Sequence, residues 1–164
     1  MLENLLSEFA APLRSIPFEV AALRLLAALV LGGAIGWERE VQSKPAGLRT
    51  HMMIALAACL FTLITFELMA ITPQHDNQLR FDPLRLIEAV TAGVAFLAAG
   101  SIITSRGNVR GLTTGAGMWL AGAIGLTCGT GRLTLAILAT GIALLVLWLL
   151  RATAHKLKRD DPAG

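Results

Sequence analysis

The sequence predicts an all-α, polytopic membrane protein with five transmembrane helices. Apolar residues make up 55% of its 164 residues and the mean hydropathy is +0.66. These residues come in unbroken blocks long enough to cross a bilayer, and most charged residues lie between the blocks. Both features are typical of a membrane protein and unlike a disordered or fibrous chain. The length allows one domain.

Five apolar blocks qualify as spans, because about 18–21 residues at 1.5 Å each cover the ~30 Å of hydrocarbon. Residues 1–19 are then an interfacial N-terminal segment outside the cytoplasm, residues 20–150 the membrane domain, and residues 151–164 a basic cytoplasmic tail. Residues 1–17 are predicted to hold a short interfacial helix. The spans are 20–37, 51–71, 86–104, 112–130 and 133–150.

Small residues predict which helix faces pack, since lipid gives no hydrophobic drive between helices. Stripes at helical spacing occur on spans 1, 3 and 4. Span 5 has Gly141 among bulky aliphatics and is expected to be peripheral. The stripes are Ala28, Gly32 and Gly36, then Ala89 and Gly93, then Gly117, Ala121, Gly125 and Gly129.

The chain also resembles itself at a shift of 64 residues, with nine identities in the thirty positions that start at Ala28. The pairs Gly47/Gly111, Leu48/Leu112 and Thr50/Thr114 are among them. This shift aligns span 1, its loop and span 2 with span 3, its loop and span 4 in the same orientation. We therefore expect a parallel two-hairpin repeat followed by a fifth helix.

Basic residues predict the orientation. Nine lie in loop 38–50, loop 105–111 and the tail, against four on the other side. The positive-inside rule places the loops and C-terminus in the cytoplasm and the N-terminus outside. Orientation thus accounts for the net charge of +3 without a nucleic-acid partner.

Three charged residues, Arg24, Glu67 and Glu88, fall inside apolar blocks at a similar predicted depth. A charge in the membrane is expected to be paired or to line an aqueous cavity. A structural pair of Arg24 with Glu88 is the favoured interpretation, and an outward-facing cation or proton cavity is the alternative.

The two cytoplasmic loops carry the candidate site. Thr50 and either Thr113 or Thr114 are expected to cap the helices that start there. Arg49 and Arg110 beside two helix N-termini predict an anion site, with positive-inside anchoring as the alternative. The motif residues are Glu38, Arg39, Glu40, Gly47, Arg49, Thr50, His51, Asn108, Arg110, Gly111, Thr113 and Thr114.

Metal binding and catalysis are weakly indicated. Glu38 and Glu40 are two residues apart and do not share a helix face, so a magnesium site is a weak prediction. His51 is expected to be a hydrogen-bonded structural residue. Cys59 and Cys128 are expected to be buried, inert thiols. No catalytic motif is present, and we expect neither an enzyme nor a cofactor.

At these residues the chain resembles the membrane domain of the MgtC/SapB family. The matching motifs are Gly36-Trp-Glu-Arg-Glu40, Ala46-Gly-Leu-Arg-Thr-His51, Gly93-Val-Ala-Phe-Leu-Ala-Ala-Gly100 and Val109-Arg-Gly-Leu-Thr-Thr114, followed by Trp119. Together they cover residues 20–150.

The resemblance implies a bacterial inner-membrane protein that serves growth under magnesium limitation and, in pathogens, virulence. It implies a regulator that binds membrane partners such as the ATP synthase. A transporter or channel for Mg²⁺ or another cation is the alternative. The expected partners also include the lipid bilayer around the helices. A homodimer is a further candidate assembly.

The chain departs from the family in several places. Ala95 and Ala98 stand where glycine is frequent, and Leu120 where some members have cysteine. Loop 105–110 lacks an acidic residue that some members carry. With 14 residues after span 5, the cytoplasmic domain of the longer members is expected to be absent.

Overall fold

The computed structural model describes residues 13–71, 82–105 and 108–159, which form five helices and one small hairpin. The five-helix prediction is confirmed. By length and composition, α1, α2 and most of α3 are able to cross a membrane. The elements are α1 (Phe18–Val41), α2 (Leu48–Ile71), α3 (Pro83–Ser101), β1 (Ile103–Ser105), β2 (Asn108–Arg110), α4 (Leu112–Gly129) and α5 (Leu133–Arg159).

Helix α1 extends further than predicted, so residues 38–41, three of them charged, are helical and the loop shrinks to 42–47. The Gln42 amide donates to the Glu38 carboxylate one turn earlier and stabilises this last turn. Ser43 then takes a left-handed φ of 52°, which turns the chain toward α2.

A β-hairpin replaces the loop predicted after span 3. Helix α3 ends at Ser101, and Ile103 pairs with Arg110 while Thr104 pairs with Val109 in antiparallel register. Ile103, Thr104 and Val109 are β-branched and suit strands, which is why the helix does not run on to residue 104.

Helices α1, α2 and α4 form the core by close backbone approach. A Cβ added at Gly32 would lie 2.6 Å from the Ala55 Cβ, and one at Gly125 would overlap the Ala55 carbonyl. At Gly129 it would lie 2.5 Å from the Thr62 Cβ. The stripes predicted on spans 1 and 4 are therefore confirmed as contact surfaces.

Helices α2 and α4 run parallel, because Gly117 lies beside His51 and Gly129 beside Thr62. A parallel repeat requires this arrangement, and the repeat itself stays a prediction. Both helices begin at the end of the bundle where α1 ends. We call this end, formed by residues 36–51 and 108–117, the motif end.

The stripe predicted on span 3 is wrong as a packing surface. Ala89 is exposed, and nothing lies within 4 Å of a Cβ added at Gly93. Helix α3 instead buries the larger Val90 and Val94, together with Ala98, and packs mainly on α4. An apolar groove of about 620 Å³ separates it from α2.

Helix α5 is peripheral, as predicted. It packs on α1 and α4, and its large side chains from Leu135 to Leu149 are mostly exposed, as the lipid side of a membrane helix is. The interfacial helix predicted within residues 1–17 falls largely outside the described residues, and residues 13–17 are not helical.

Candidate functional site

The fold brings the predicted motif residues to one end of the bundle. Those of α1 lie in its last turn, and those of α2 and α4 lie at or near the first turns of two parallel helices. The β-hairpin adds Asn108 and Arg110 just before α4. The motif end is therefore built from both halves of the chain.

Glu40 caps helix α2 across the turn. Its Oε2 accepts a hydrogen bond of 2.9 Å from the backbone N–H of Leu48, the first residue of α2. Gly47 leaves room for the carboxylate, since a Cβ there would overlap Oε2. A negative group at a helix N-terminus is favourable, so Glu40 already occupies the anion position of α2.

Glu38 is held by its neighbours on the same helix end. It forms an ion pair with Arg39 and accepts a hydrogen bond from the Gln42 amide. Arg39 is only 3% exposed, and its carbonyl accepts from the backbone N–H of Gln42 and Lys44. Glu38 and Glu40 thus bind separate protein donors, which gives the predicted magnesium pair no support.

His51 is fully buried where α1, α2 and α4 meet. Its Nδ1 lies 2.9 Å from the carbonyl oxygen of Gly47, which confirms the hydrogen-bonded role predicted for it. A carbonyl only accepts, so Nδ1 carries the proton in the neutral ring. Nε2 faces Gly117 of α4 and has no hydrogen-bond partner among the described residues.

The predicted threonine caps are wrong. The N-cap of α4 is Gly111, with φ 90° and no side-chain cap, and Thr114 is buried inside the helix. Gly111 is required because a Cβ there would overlap the carbonyl of Ser101. Thr50 lies inside α2, whose first N–H is capped by Glu40.

The remaining motif residues point away from the bundle. Arg49, Asn108, Arg110 and Thr113 are exposed. Among the described side chains, those of residues 13–71, 82, 84–104 and 108–149, the ion pair formed is that of Glu38 with Arg39, and Arg49 and Arg110 take part in none. Two guanidinium groups are therefore available at the motif end.

The predicted pair of Arg24 with Glu88 is wrong. Arg24 Nη1 donates a 2.8 Å hydrogen bond to the carbonyl of Gly129, the last residue of α4. A cation is well placed at a helix C-terminus, where carbonyl groups lack partners. Glu88 lies on the exposed face of α3 and forms no ion pair with the described residues.

Glu67 anchors the segment that precedes α1. It accepts from the backbone N–H of Arg14 at 2.6 Å, and from the N–H and hydroxyl of Ser15 at 3.0 and 2.7 Å. Its charge is thus satisfied by three donors at the end of the bundle opposite the motif end. The sequence gives no signal for this contact, because the partners lie 52 and 53 residues apart.

Both cysteines, Cys59 and Cys128, are free and buried, as predicted. They belong to the apolar cluster among α1, α2 and α4. No group of three His, Cys, Asp or Glu side chains in the described part of the chain is arranged to hold a metal ion.

Comparison with known proteins identifies relatives over most of the chain. A model of the MgtC family matches residues 25–156. The chain is 39% identical to YhiD of Escherichia coli (strain K12) over 125 residues, which are 76% of this chain and 58% of that protein. YhiD is named as a candidate magnesium transporter.

Protein MgtC of Salmonella typhimurium (strain LT2) is 38% identical over 137 residues, 84% of this chain and 55% of that protein. A protein of Haemophilus influenzae is 37% identical over 118 residues, 71% of this chain and 50% of that protein. The chain thus spans about half the length of these relatives, between 50% and 58% of each. No solved structure matches it.

Proposed function

The chain belongs to the MgtC family, and from that membership we propose that it serves bacterial adaptation to magnesium limitation as a regulator in the inner membrane. In this proposal it is not an enzyme. It acts by binding a membrane partner through the motif end, which faces the cytoplasm according to the charge distribution.

The proposal rests on which charged side chains at the motif end have protein partners and which do not. Glu38 and Glu40 are bound to protein donors, whereas Arg49 and Arg110 are exposed and form no ion pair in the described part of the chain. Guanidinium groups in that state suit an acidic partner surface through paired hydrogen bonds. The ATP synthase is the kind of partner that the family resemblance implies.

A packed scaffold supports this role. The motif end rests on the close contact of α1 with α2 at Gly36, where an added Cβ would lie 2.8 Å from the Leu48 Cα. The Glu40 cap joins the same two helices. These contacts fix the helix start that carries Arg49, and a rigid support of this kind loses little entropy when a partner binds.

Transport of Mg²⁺ or another cation is the second candidate, because the relative YhiD is named as a candidate magnesium transporter. A conducting path needs acidic groups at membrane depth that face a cavity. Glu67 is bound to Arg14 and Ser15, and Glu88 lies on the outer face of α3. Neither arrangement favours a path through the bundle.

Growth at low Mg²⁺ tests the proposal in a strain that depends on this protein. Arg49→Ala and Arg110→Ala should abolish growth while the membrane level of the protein is unchanged. Lys at either position should restore growth only in part, because it keeps the charge but not the planar fork. Arg132→Ala is the matched control, since Arg132 is also exposed but lies between α4 and α5 at the opposite end.

If Arg49→Ala and Arg110→Ala both grow like wild type, the regulator proposal is wrong. Flux of Mg²⁺ and H⁺ into proteoliposomes that contain only this protein tests the alternative. Transport would be established instead if Glu88→Gln or Glu67→Gln abolishes the flux while Arg49→Ala and Arg110→Ala leave it unchanged.

A further inference from the structure

The groove of about 620 Å³ between α2 and α3 is open on its rim. Met53, Phe61 and Leu97 on that rim are each more than half exposed, so the groove opens to whatever surrounds the bundle. Small residues make the space, since nothing lies within 4 Å of a Cβ added at Gly93. The bilayer core holds no water, so a groove that opens there is filled by lipid or by another protein.

The lining of the groove suits a ligand segment without polar groups. Thr65 is the polar residue among the lining side chains, and its hydroxyl donates a 2.9 Å hydrogen bond to the carbonyl of Phe61. The other lining residues are apolar. No side chain of the groove therefore needs a polar partner, and a hydrocarbon chain satisfies all of them.

The groove is about as long as one leaflet of the bilayer is thick. On α2 it runs from Met53 to Thr65, which is about 18 Å at 1.5 Å per residue. On α3 it runs from Leu86 to Leu97, which is about 17 Å. Half of a ~30 Å hydrocarbon core is about 15 Å. The groove thus matches one lipid tail, whereas a helix that crosses the membrane needs about twice that length.

A helix is also too wide for this groove. A helical segment about 10 Å in diameter and 18 Å long occupies roughly 1,400 Å³, more than twice the volume of the groove. Such a helix would lie over the rim and leave the space beneath it empty. Helix contacts in membranes depend on close packing, so a lipid tail is the better occupant.

An exposed arginine lies beyond the motif end of the groove. Arg49 precedes Met53 by four residues on α2, about 6 Å nearer the motif end. Residues four apart lie on the same side of a helix, so Arg49 continues the side of α2 that lines the groove. The predicted span starts at residue 51, which places Arg49 at the level of the lipid head groups. A guanidinium at this level suits a phosphate.

We propose that the groove and Arg49 form a binding site for an anionic phospholipid. One acyl tail lies between α2 and α3, and the phosphate of the head group accepts hydrogen bonds from the Arg49 guanidinium. Lipid tails fill any open groove, so the charge contact provides the selectivity for an anionic head group. A phosphate takes two of the five N–H donors of a guanidinium and leaves the others for the acidic partner of the proposed function.

Native mass spectrometry of the full chain in detergent counts bound lipids and tests the site in the absence of any membrane partner. Titration with phosphatidylglycerol should show one tightly bound molecule per chain. Phosphatidylcholine with the same tails should bind about fivefold more weakly, the usual value of one basic residue near an anionic membrane surface. Inorganic phosphate and glycerol 3-phosphate, which have no tails, should not bind at the same concentrations.

Variants with matched controls locate the bound lipid. Arg49→Ala should weaken phosphatidylglycerol binding about fivefold. Arg132→Ala should not, because Arg132 is exposed in the turn between α4 and α5, neither of which lines the groove. Gly93→Phe should weaken binding tenfold or more by filling the groove, whereas Gly141→Phe on α5 should not. Both glycines have open space at an added Cβ, and Ala57→Phe is a second variant that fills the groove.

Any of four results overturns the proposal. The first is phosphatidylcholine that binds as tightly as phosphatidylglycerol, and the second is wild-type affinity in Arg49→Ala or in both groove variants. The third is equal binding of inorganic phosphate, because the site then holds a free anion. The fourth is a photoreactive residue in place of Met53 that links, in cell membranes, to another protein and not to lipid, because the groove then belongs to a protein partner.

Discussion

At the residue scale, Glu40 joins the two halves of the first hairpin. Its carboxylate leaves the last turn of α1 and caps the first N–H of α2, over the space that Gly47 leaves open. The helix-start cap is therefore supplied by an acid from the preceding helix. The local cap expected from Thr50 is not formed.

Glu40→Ala should lower the free energy of unfolding by about 1 kcal/mol, the usual cost of a lost helix cap. Gly47→Ala should cost a similar amount, because its Cβ displaces the same carboxylate. In the double variant the costs should not add, since both remove one interaction. Thermal unfolding in detergent measures all three, and fully additive losses would contradict the cap.

Arg24→Ala should destabilise the protein by about 1–2 kcal/mol, because the Gly129 carbonyl loses a charged donor. Arg132→Ala is the control, since Arg132 is exposed near the same end of α4 and its side chain has no hydrogen bond in the described structure. Unfolding in detergent is again the measurement. Equal stability of both variants would show that the Arg24 hydrogen bond contributes nothing.

The sequence singles out three intramembrane charges, but the partner it predicts for Arg24 is wrong. Arg24, Glu67 and Glu88 stand out because charge is rare in apolar blocks, but depth alone does not name a partner. Glu67 binds backbone N–H groups of residues 14 and 15, and Arg24 binds a backbone carbonyl. Backbone groups leave no mark in a sequence, so only the fold reveals such contacts.

At the element scale, glycine occurs where two helices come into close contact. The α2–α4 contact rests on Gly125 and Gly129, whose added Cβ atoms would meet the Ala55 carbonyl and Thr62. These contacts involve backbone or β-branched atoms, which have little freedom to move aside. The interface therefore tolerates no larger residue without separation of the helices.

Gly125→Ala should destabilise the bundle by about 1–3 kcal/mol through overpacking. Gly141→Ala is the control, because nothing lies within 4 Å of its Cβ and the helix gains up to about 1 kcal/mol from the change. Unfolding midpoints in one detergent compare the two variants. A Gly125→Ala chain as stable as Gly141→Ala would show that α2 and α4 do not touch as described.

Spacing of small residues predicted the faces of α1 and α4 but not that of α3. All three stripes look alike in sequence, and the difference is that α3 packs on α4 through Val90 and Val94. The hairpin after α3 was missed for a related reason. Its strands are three residues each, too short to show an alternating pattern.

At the scale of the whole molecule, hydropathy fixes most of the fold because a membrane admits few solutions. Each block long enough to cross becomes a helix, since backbone groups in lipid need internal partners. What hydropathy does not show is which helices meet. The groove between α2 and α3 follows from packing of the folded chain, whereas the peripheral position of α5 is predicted from the bulky aliphatic residues of span 5 and not from hydropathy alone.

The charge distribution predicts that the motif end faces the cytoplasm. Lys44→Cys and Asn108→Cys, in a chain without Cys59 and Cys128, should be protected from an impermeant thiol reagent in intact cells. Arg132→Cys, at the opposite end, should react. All three positions are exposed, so access to the reagent depends on the side of the membrane. The reverse labelling pattern would show that the protein has the opposite orientation in the membrane.

The length of α5 has a consequence for the bilayer that holds the protein. Its 27 residues measure about 40 Å, some 10 Å more than a hydrocarbon core of ~30 Å. Its apolar part, Leu133–Leu149, measures only about 26 Å, so the excess length is the polar C-terminal end, whose last nine residues include four basic ones. The helix therefore extends out of the hydrocarbon at that end without a need to tilt. Because its apolar length falls slightly short of the hydrocarbon core, a thicker bilayer, and not a thinner one, should strain α5.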